Sequence, residues 1–361
     1  MADNITELAT MNVQPLFNLM VEKRASDLFL TPHAPVKIKI DGKIMPVNKL
    51  ELTPKMIRQA AIELMNEQQL EEFTRELEID FAVSKAGLGR FRVNVFHQRG
   101  NVAMVMRYIT SAIPNLDQLC MPSILKDLVM FRRGLLLMVG ATGCGKSTTL
   151  AAMIDHRNEK TSSHIITIED PIEFLHANKK SIVNQREIGT DTKSYGRALK
   201  SAMREAPDVV LIGEIRDRET MQAAIDLAGT GHLAIATLHS NNAPETLDRV
   251  INLFPEDQHA QVFMDLSQYL RGIISQRLVR GTKGERVAAV EVMLNTPRIA
   301  ELIQVGDIAK VKEAFQSSSE QGMQTFDDAL LKLYKEGKVP MEEALASADS
   351  RTNLEAKIHF G

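Results

Sequence analysis

The residues whose types and spacing point most directly to chemistry lie in one run, MVGATGCGKSTTL at 138–150. Gly140, Ala141, Thr142 and Gly143, then Cys144, Gly145, Lys146 and Ser147, complete the spacing G-x-x-x-x-G-K-[ST]. The apolar residues before it read as a strand and those after it as a helix, the context that this spacing requires. Glycines here let successive backbone N–H groups turn inward as a nest for an anion, and the helix N-terminus adds partial positive charge. Lys146 then reaches the β- and γ-phosphates of a nucleotide, Ser147 offers a hydroxyl to Mg²⁺, and Thr148 follows it. Cys144 has two readings. A helix N-terminus lowers a thiol's pKa and would make the site oxidation-sensitive; the favoured reading is that any small side chain fits where only backbone meets phosphate.

A phosphate cradle does not say what the energy is for, so the acids and histidines matter. PDVVLIGEIRD (207–217) is an apolar strand ending in an acid. Many phosphate-loop enzymes place Asp then Glu there, whereas here Gly213 precedes Glu214, which becomes the candidate for metal or water positioning. IITIEDPIEFLH (165–176) puts Glu169 and Asp170 at the end of another strand. Ligands of open α/β sheets bind at the carboxyl ends of strands. Glu169 and Glu214 therefore either converge beside the γ-phosphate, one orienting water and one the metal, or are ordinary turn acids. In TGHLAIATLHSNN (230–242), His232 and His239 bracket a strand, and His239 falls at the carboxyl end, where it is either structural or a reporter of the γ-phosphate. The alternation in GRFRVNVF puts Arg90, Arg92 and Asn94 on one face and Phe91, Val93 and Val95 on the other. The arginines are a solvated face, or cations offered to a neighbouring subunit's nucleotide.

These groups need a frame. With 361 residues, 44% hydrophobic and 25% charged, the chain is long enough for two globular domains. A net charge of −3 supplies no general attraction to nucleic acid or anionic lipid. Two cysteines without C-x-x-C spacing argue against a disulfide framework or a cysteine zinc site. The N-terminus lacks a signal-peptide pattern, and no apolar run approaches the roughly 20 residues of a membrane span. The expected compartment is the cytoplasm, without membrane insertion.

The expected organisation is an α+β domain over 1–110, a hinge over 111–122, a core over 123–296 and a helical region over 297–361. In the first part, 13–23 reads as a helix, DLFL as a strand, 36–47 as a hairpin about Asp41-Gly42, and 54–76 as one helix capped by Thr53. In the core, apolar runs at 135–139, 165–168, 209–212 and 233–237 alternate with helical segments, which implies a mostly parallel sheet covered on both faces.

With these residues laid out, the chain resembles the PilT/GspE family of pilus and secretion ATPases. The resemblance rests on KRASDLFL, the phosphate loop, TIEDPIEF, LIGEIRD and TGHLAIATLH, in the family's order and over nearly the whole length. It implies a PAS-like N-terminal domain, a RecA-like C-terminal domain, ATP between them and a hexameric ring. It also implies that Glu169 and Glu214 are essential acids, and that Arg90, Arg92 and Arg107 lie where the family supplies cations to the nucleotide. NQREIGTDT, GMQTFDDAL and the tail EEALASADSRTNLEAKI are similar to the accessory retraction branch. Where retraction members carry AIRNLIRE, this chain reads RIAELIQV at 298–305, with Gln304 and Val305 in place of Arg and Glu. DLFL also lacks the usual His, and the metal-binding cysteine cluster of extension ATPases is absent.

The resemblance implies a type IV pilus retraction motor at the cytoplasmic face of the inner membrane. Its partners would be a PilT-like retraction ATPase and an inner-membrane platform protein. Two other readings stay open: a nucleotide-gated assembly ring with little hydrolysis of its own, and, remotely, a DNA translocase.

Overall fold

The computed structural model describes residues 12–40, 42–109, 112–318 and 320–360. The chain divides into two compact units, Met1–Ser111 and Ala112–Gly361.

The first unit runs α1 (Gln14–Glu22), β1 (Asp27–Leu30), β2 (Pro35–Ile40), β3 (Lys43–Glu51), α2 (Pro54–Leu64), α3 (Glu67–Glu76), β4 (Glu78–Lys85), β5 (Gly89–Gln98) and β6 (Asn101–Ile109). Its strands form one antiparallel sheet in the order β3-β2-β1-β6-β5-β4. The period-two pattern of β5 has the consequence expected of it. Phe91, Val93 and Val95 are fully buried, and the Phe91 ring packs at a tilt against both Phe17 and Tyr108, with ring centroids 4.5 and 5.2 Å away. The hairpin joins β2 to β3 with Ile40 opposite Lys43, and Asp41 lies outside the described residues. The single helix expected over 54–76 is instead two. Thr53 caps the first, accepting from the Met56 N–H at 3.3 Å, but Met65 is extended and Asn66 starts a second cap. Asn66 Oδ1 accepts from the Gln69 N–H (2.8 Å), and Gln69 Oε1 accepts from the Asn66 N–H (3.0 Å). Asparagine satisfies free N–H groups at a helix start far better than it packs in a helix interior.

The second unit continues α4 (Ile124–Leu128), β7 (Gly134–Val139), α5 (Lys146–Lys160), β8 (His164–Glu169), β9 (Ile182–Glu187), α6 (Tyr195–Ala202), β10 (Val209–Ile212), α7 (Arg218–Gly229), β11 (Leu233–Leu238), α8 (Ala243–Ile251) and α9 (His259–Tyr269). It closes with β12 (Leu270–Arg280), β13 (Arg286–Leu294), α10 (Pro297–Gln304), α11 (Ile308–Gln316), α12 (Phe326–Lys335), α13 (Met341–Ser347) and α14 (Arg351–Phe360). The sheet order is β13-β12-β7-β11-β10-β8-β9, parallel except for the β12–β13 pair. This is the α/β, RecA-like arrangement with a mostly parallel sheet and a helical C-terminal region.

The apolar runs are continuous because both faces are covered. Leu135, Leu137 and Val139 pack into the core beneath α6 to α11, while Leu136 and Met138 pack into the core beneath α4 and α5. Three strands escape the sequence pattern. β9 reads IVNQRE, a half-polar edge strand; β12 follows α9 with no turn residue between them, and β13 is its antiparallel partner. The stretch expected as a hinge contributes Leu116 to the core with Leu125 and Leu128. α10 and α11 share the core of α6 to α9, whereas α12 to α14 cover Val279 and Ala289 with a core of their own.

One buried acid belongs to this frame. Glu291 on β13 is 2% exposed. It accepts from the Ala243 N–H (2.8 Å) at the start of α8 and from Ser275 Oγ (2.9 Å) on β12. Burial, then Asp349, push its carboxyl from 4.5 up to about 7, against these hydrogen bonds and Arg277. The folded chain thus holds this proton more tightly than the unfolded one, so stability falls as pH rises from about 4.5 to about 7 and the loss is complete above that. Glu291→Gln keeps the Oε1 acceptor without the charge. Urea titrations at pH 8 should show the variant more stable by on the order of 3 kcal/mol, with the difference gone at pH 4.

Candidate nucleotide site

The carboxyl ends of β7, β11, β10 and β8 are neighbours, and their register aligns them. Ile212 is level with both Ile168 and Ala236, and Val139 with Leu238. The loop 140–145 follows β7, Glu214 lies two residues past β10, Glu169 ends β8, and His239 follows β11. All four border one cleft of about 580 Å³, together with Lys146, Ser147 and Thr148. Two candidates separated by 45 positions in sequence are thus brought together by strand pairing alone.

The loop has the backbone that its glycines were expected to allow. Gly140, Gly143 and Gly145 adopt φ of 145°, 78° and 89°, a region that side-chain-bearing residues rarely enter. Space matters as much as torsion. A Cβ on Gly140 would strike Gln276 O and lie 2.7 Å from Cys144 Sγ, and one on Gly145 would lie 2.8 Å from Gln276 Nε2. Gln276 is buried on β12, donates to Cys144 O (2.7 Å) and accepts from Thr149 Oγ1 (2.8 Å). It ties the loop to the sheet, and it was not legible because β12 was not. Cys144 is buried beneath the loop, which fits the reading of a small packing residue. Lys146 Nζ donates to Gly140 O (2.7 Å) and Ala141 O (3.1 Å), so its ammonium is held over the nest.

The acid end is organised by Gly213. Its N–H donates to Ile168 O (2.8 Å), and the next N–H but one, Ile215, donates to Thr237 O (2.8 Å). Thr237 Oγ1 donates to Gly213 O. The chain beyond β10 is therefore stitched to β8 and β11 in turn, with Glu214 between. A Cβ on Gly213 would lie 3.1 Å from Glu169 Cα, 3.1 Å from Ile168 O and 2.9 Å from Tyr195 Oη. This is the physical reason why glycine replaces the usual aspartate: Glu169 occupies the space.

Both acids are held firmly. Glu214 Oε1 lies 2.9 Å from His239 Nε2, while Oε2 accepts from Arg216 through Nε (2.7 Å) and a terminal nitrogen (2.6 Å). Glu169 Oε1 accepts from Thr167 Oγ1 (2.6 Å) and Gln185 Nε2 (3.3 Å). Burial pushes the Glu169 carboxyl up, opposed by these hydrogen bonds. Gln185 also donates to Phe174 O (2.8 Å) and accepts from the His176 N–H (2.8 Å), fixing the loop after β8. Gln185, Arg216 and Tyr195 are site residues that the sequence reading passed over, and Gln185 was hidden with β9.

The arginine candidates lie on the first unit. Arg92 sits directly across from Arg107 on the sheet, so Arg90, Arg92 and Arg107 share a face. Arg92 is paired with Asp80, its Nε 2.7 Å from Oδ2, and Arg107 Nε donates to Asp27 (2.8 Å). His232 is at the amino end of β11, away from the cleft, with its N–H bonded to Leu227 O (3.1 Å).

The sequence pattern described as Type II/IV secretion system protein matches residues 5–291. The chain belongs to this family. Among secretion ATPases of this type it is 51% identical over 352 residues to the type IV pilus ATPase PilU of Pseudomonas aeruginosa, covering 97% of this chain and 92% of that one. It is 42% identical to the type IV pilus retraction ATPase PilT of the same organism, covering 95% of this chain and all of that one. The crystal structure of the pilus retraction motor PilT with bound ADP superposes with a TM-score of 0.90 at 41% identity, over 96% of this chain and 99% of that one. In this family member, Gly213→Ala would force the ends of β8 and β10 apart. Urea unfolding should show a loss of about 1–3 kcal/mol.

Proposed function

We propose that this chain is an ATP-hydrolysing motor of the type IV pilus, of the accessory retraction kind, working as a homo-hexameric ring beside a PilT-like retraction ATPase. The observation that carries this reading is the meeting of the phosphate loop, Glu169, Glu214 and His239 in one cleft. The likeness to PilU and PilT supports the cellular role. Work would pass through rigid-body movement of the first unit against the second to a platform protein at the cytoplasmic face of the inner membrane. Among the described residues no helix is long and apolar enough to cross a membrane.

Ser147 and Glu214 offer hydroxyl and carboxylate oxygens, the hard donors that suit Mg²⁺, and no cluster of three or more acidic, His or Cys ligands competes among the described residues. When bound, Mg²⁺ neutralises charge on the β- and γ-phosphates. The chain's own groups do the rest. The loop N–H groups and the start of α5 hold the phosphates, and Lys146 leaves the loop carbonyls for them. Glu169, held in place by Thr167 and Gln185, orients the attacking water and takes up its proton, a task that suits a carboxyl raised by burial. His239 reads the γ-phosphate through its contact with Glu214. Arg90, Arg92 and Arg107 are the cations assigned to a neighbouring copy's nucleotide, since developing phosphoryl charge calls for an external cation.

A second reading has one observation in its favour. Glu214 is clamped by Arg216 and His239, and a ring that keeps this clamp would bind nucleotide and hydrolyse little until its partner releases it. Steady-state ATPase assays run alongside solution mass measurement separate the two. The motor reading expects hexamers that turn over alone, with Glu214→Ala lowering kcat at least about 100-fold, the scale seen on removing a transition-state contact. Hexamers silent until a PilT-like protein is added would favour the gated ring, and monomers without turnover in either condition would defeat both.

A further inference from the structure

We propose that Tyr195 is a further catalytic residue of this site, its hydroxyl donating a hydrogen bond to a γ-phosphate oxygen of the bound triphosphate. This rests on the nucleotide reading above and deepens it. Tyr195 is the first residue of α6, behind the Ser194 cap, and its ring packs on the core beneath that helix. The hydroxyl reaches the cleft at its acid end, where Glu169, Asp170 and Glu214 also face inward. Its position is fixed by Gly213, whose missing side chain leaves room for it: a Cβ there would be 2.9 Å from Tyr195 Oη.

The chemistry of the neighbours assigns the role. Three carboxylates can only accept hydrogen bonds when ionised, and they repel an incoming phosphoryl group. The donors beside these acids are engaged: Thr167 Oγ1 on Glu169, Thr237 Oγ1 on Gly213 O, and Arg216 and the His239 Nε2 on Glu214. The Tyr195 hydroxyl makes no hydrogen bond to another group among the described residues and is protonated at neutral pH, since a phenol titrates near 10. A neutral donor is what lets a phosphate oxygen approach a wall of acids without adding a cation that those acids would capture. Because the loop holds the β-phosphate and the Tyr195 hydroxyl lines the cleft beside Gly213, at the acid end, this bond distinguishes triphosphate from diphosphate.

Tyr195→Phe removes only the hydroxyl and keeps the buried ring. Affinities for ADP and for a non-hydrolysable ATP analogue, measured by calorimetry with Mg²⁺, provide the test, with kcat as a second readout. The variant should bind ADP as the wild type does, bind the analogue at least roughly tenfold more weakly and lose a comparable factor in kcat, as a hydrogen bond to a charged group implies. An unchanged ratio of analogue to ADP affinity would overturn the proposal, as would equal weakening for both, which marks a structural role. Wild-type protein that binds neither nucleotide would remove the nucleotide reading itself, and this assignment with it. Wild-type protein that binds both without turnover leaves the affinity ratio to decide, because that ratio does not depend on hydrolysis.

Discussion

Burial of β7, β11, β10 and β8 on both faces is the constraint on which the rest of the second unit depends. Each of these strands carries apolar side chains to two separate cores, so a slip of one residue would exchange the faces and misfit both. Register is therefore fixed, and with it the level at which the strands end. The phosphate loop, Glu169, Glu214 and His239 are simply the residues that come next. Their convergence needs no special device beyond a sheet that cannot slide.

The second requirement is close backbone approach, and it is met twice by glycine. Beneath the loop, Gly140 and Gly145 make room for Gln276, a buried amide that binds the loop carbonyl and Thr149 together. At the acid end, Gly213 makes room for Glu169 and Tyr195. The cost is an acid: the aspartate usual before the strand-end glutamate has no space. In exchange the carboxylates stand side by side, one raised in pKa by burial and the other held between a histidine and an arginine. Two acids in unlike surroundings can take unlike roles.

The C-terminal region is tied to the same framework. Arg277 on β12 lies over the Phe326 ring at 3.8 Å, pairs with Asp349 (2.7 Å) and donates to Asn241 O (3.3 Å), two residues past His239. Glu291 joins the start of α8 to β12 from within. The C-terminal helices α12 to α14 are thus packed against the strand pair that also supports the loop. α10, which carries RIAELIQ of the segment RIAELIQV, packs into the core of α6 to α9 through Ile299, Leu302 and Ile303, and Val305 just beyond it is exposed.

Sequence alone determined what depends on local spacing. The phosphate loop was legible because torsion and anion binding demand glycine, lysine and serine at fixed positions. The buried parallel strands were legible because two covered faces leave an unbroken apolar run, and the Thr53 cap because its hydrogen bond spans three residues. The acids were visible as strand-end carboxylates, but from spacing alone they could equally have been turn residues. Only the tertiary structure decided that Glu169 and Glu214 share a cleft, because strand order is not written in any one segment. It alone disclosed β9, β12 and β13, whose sequences are half-polar or run on from a helix without a turn, and with them Gln185 and Gln276. It also explained Gly213, whose meaning lies in the backbone of Glu169, 44 positions earlier in the chain and 3.1 Å from where its side chain would begin.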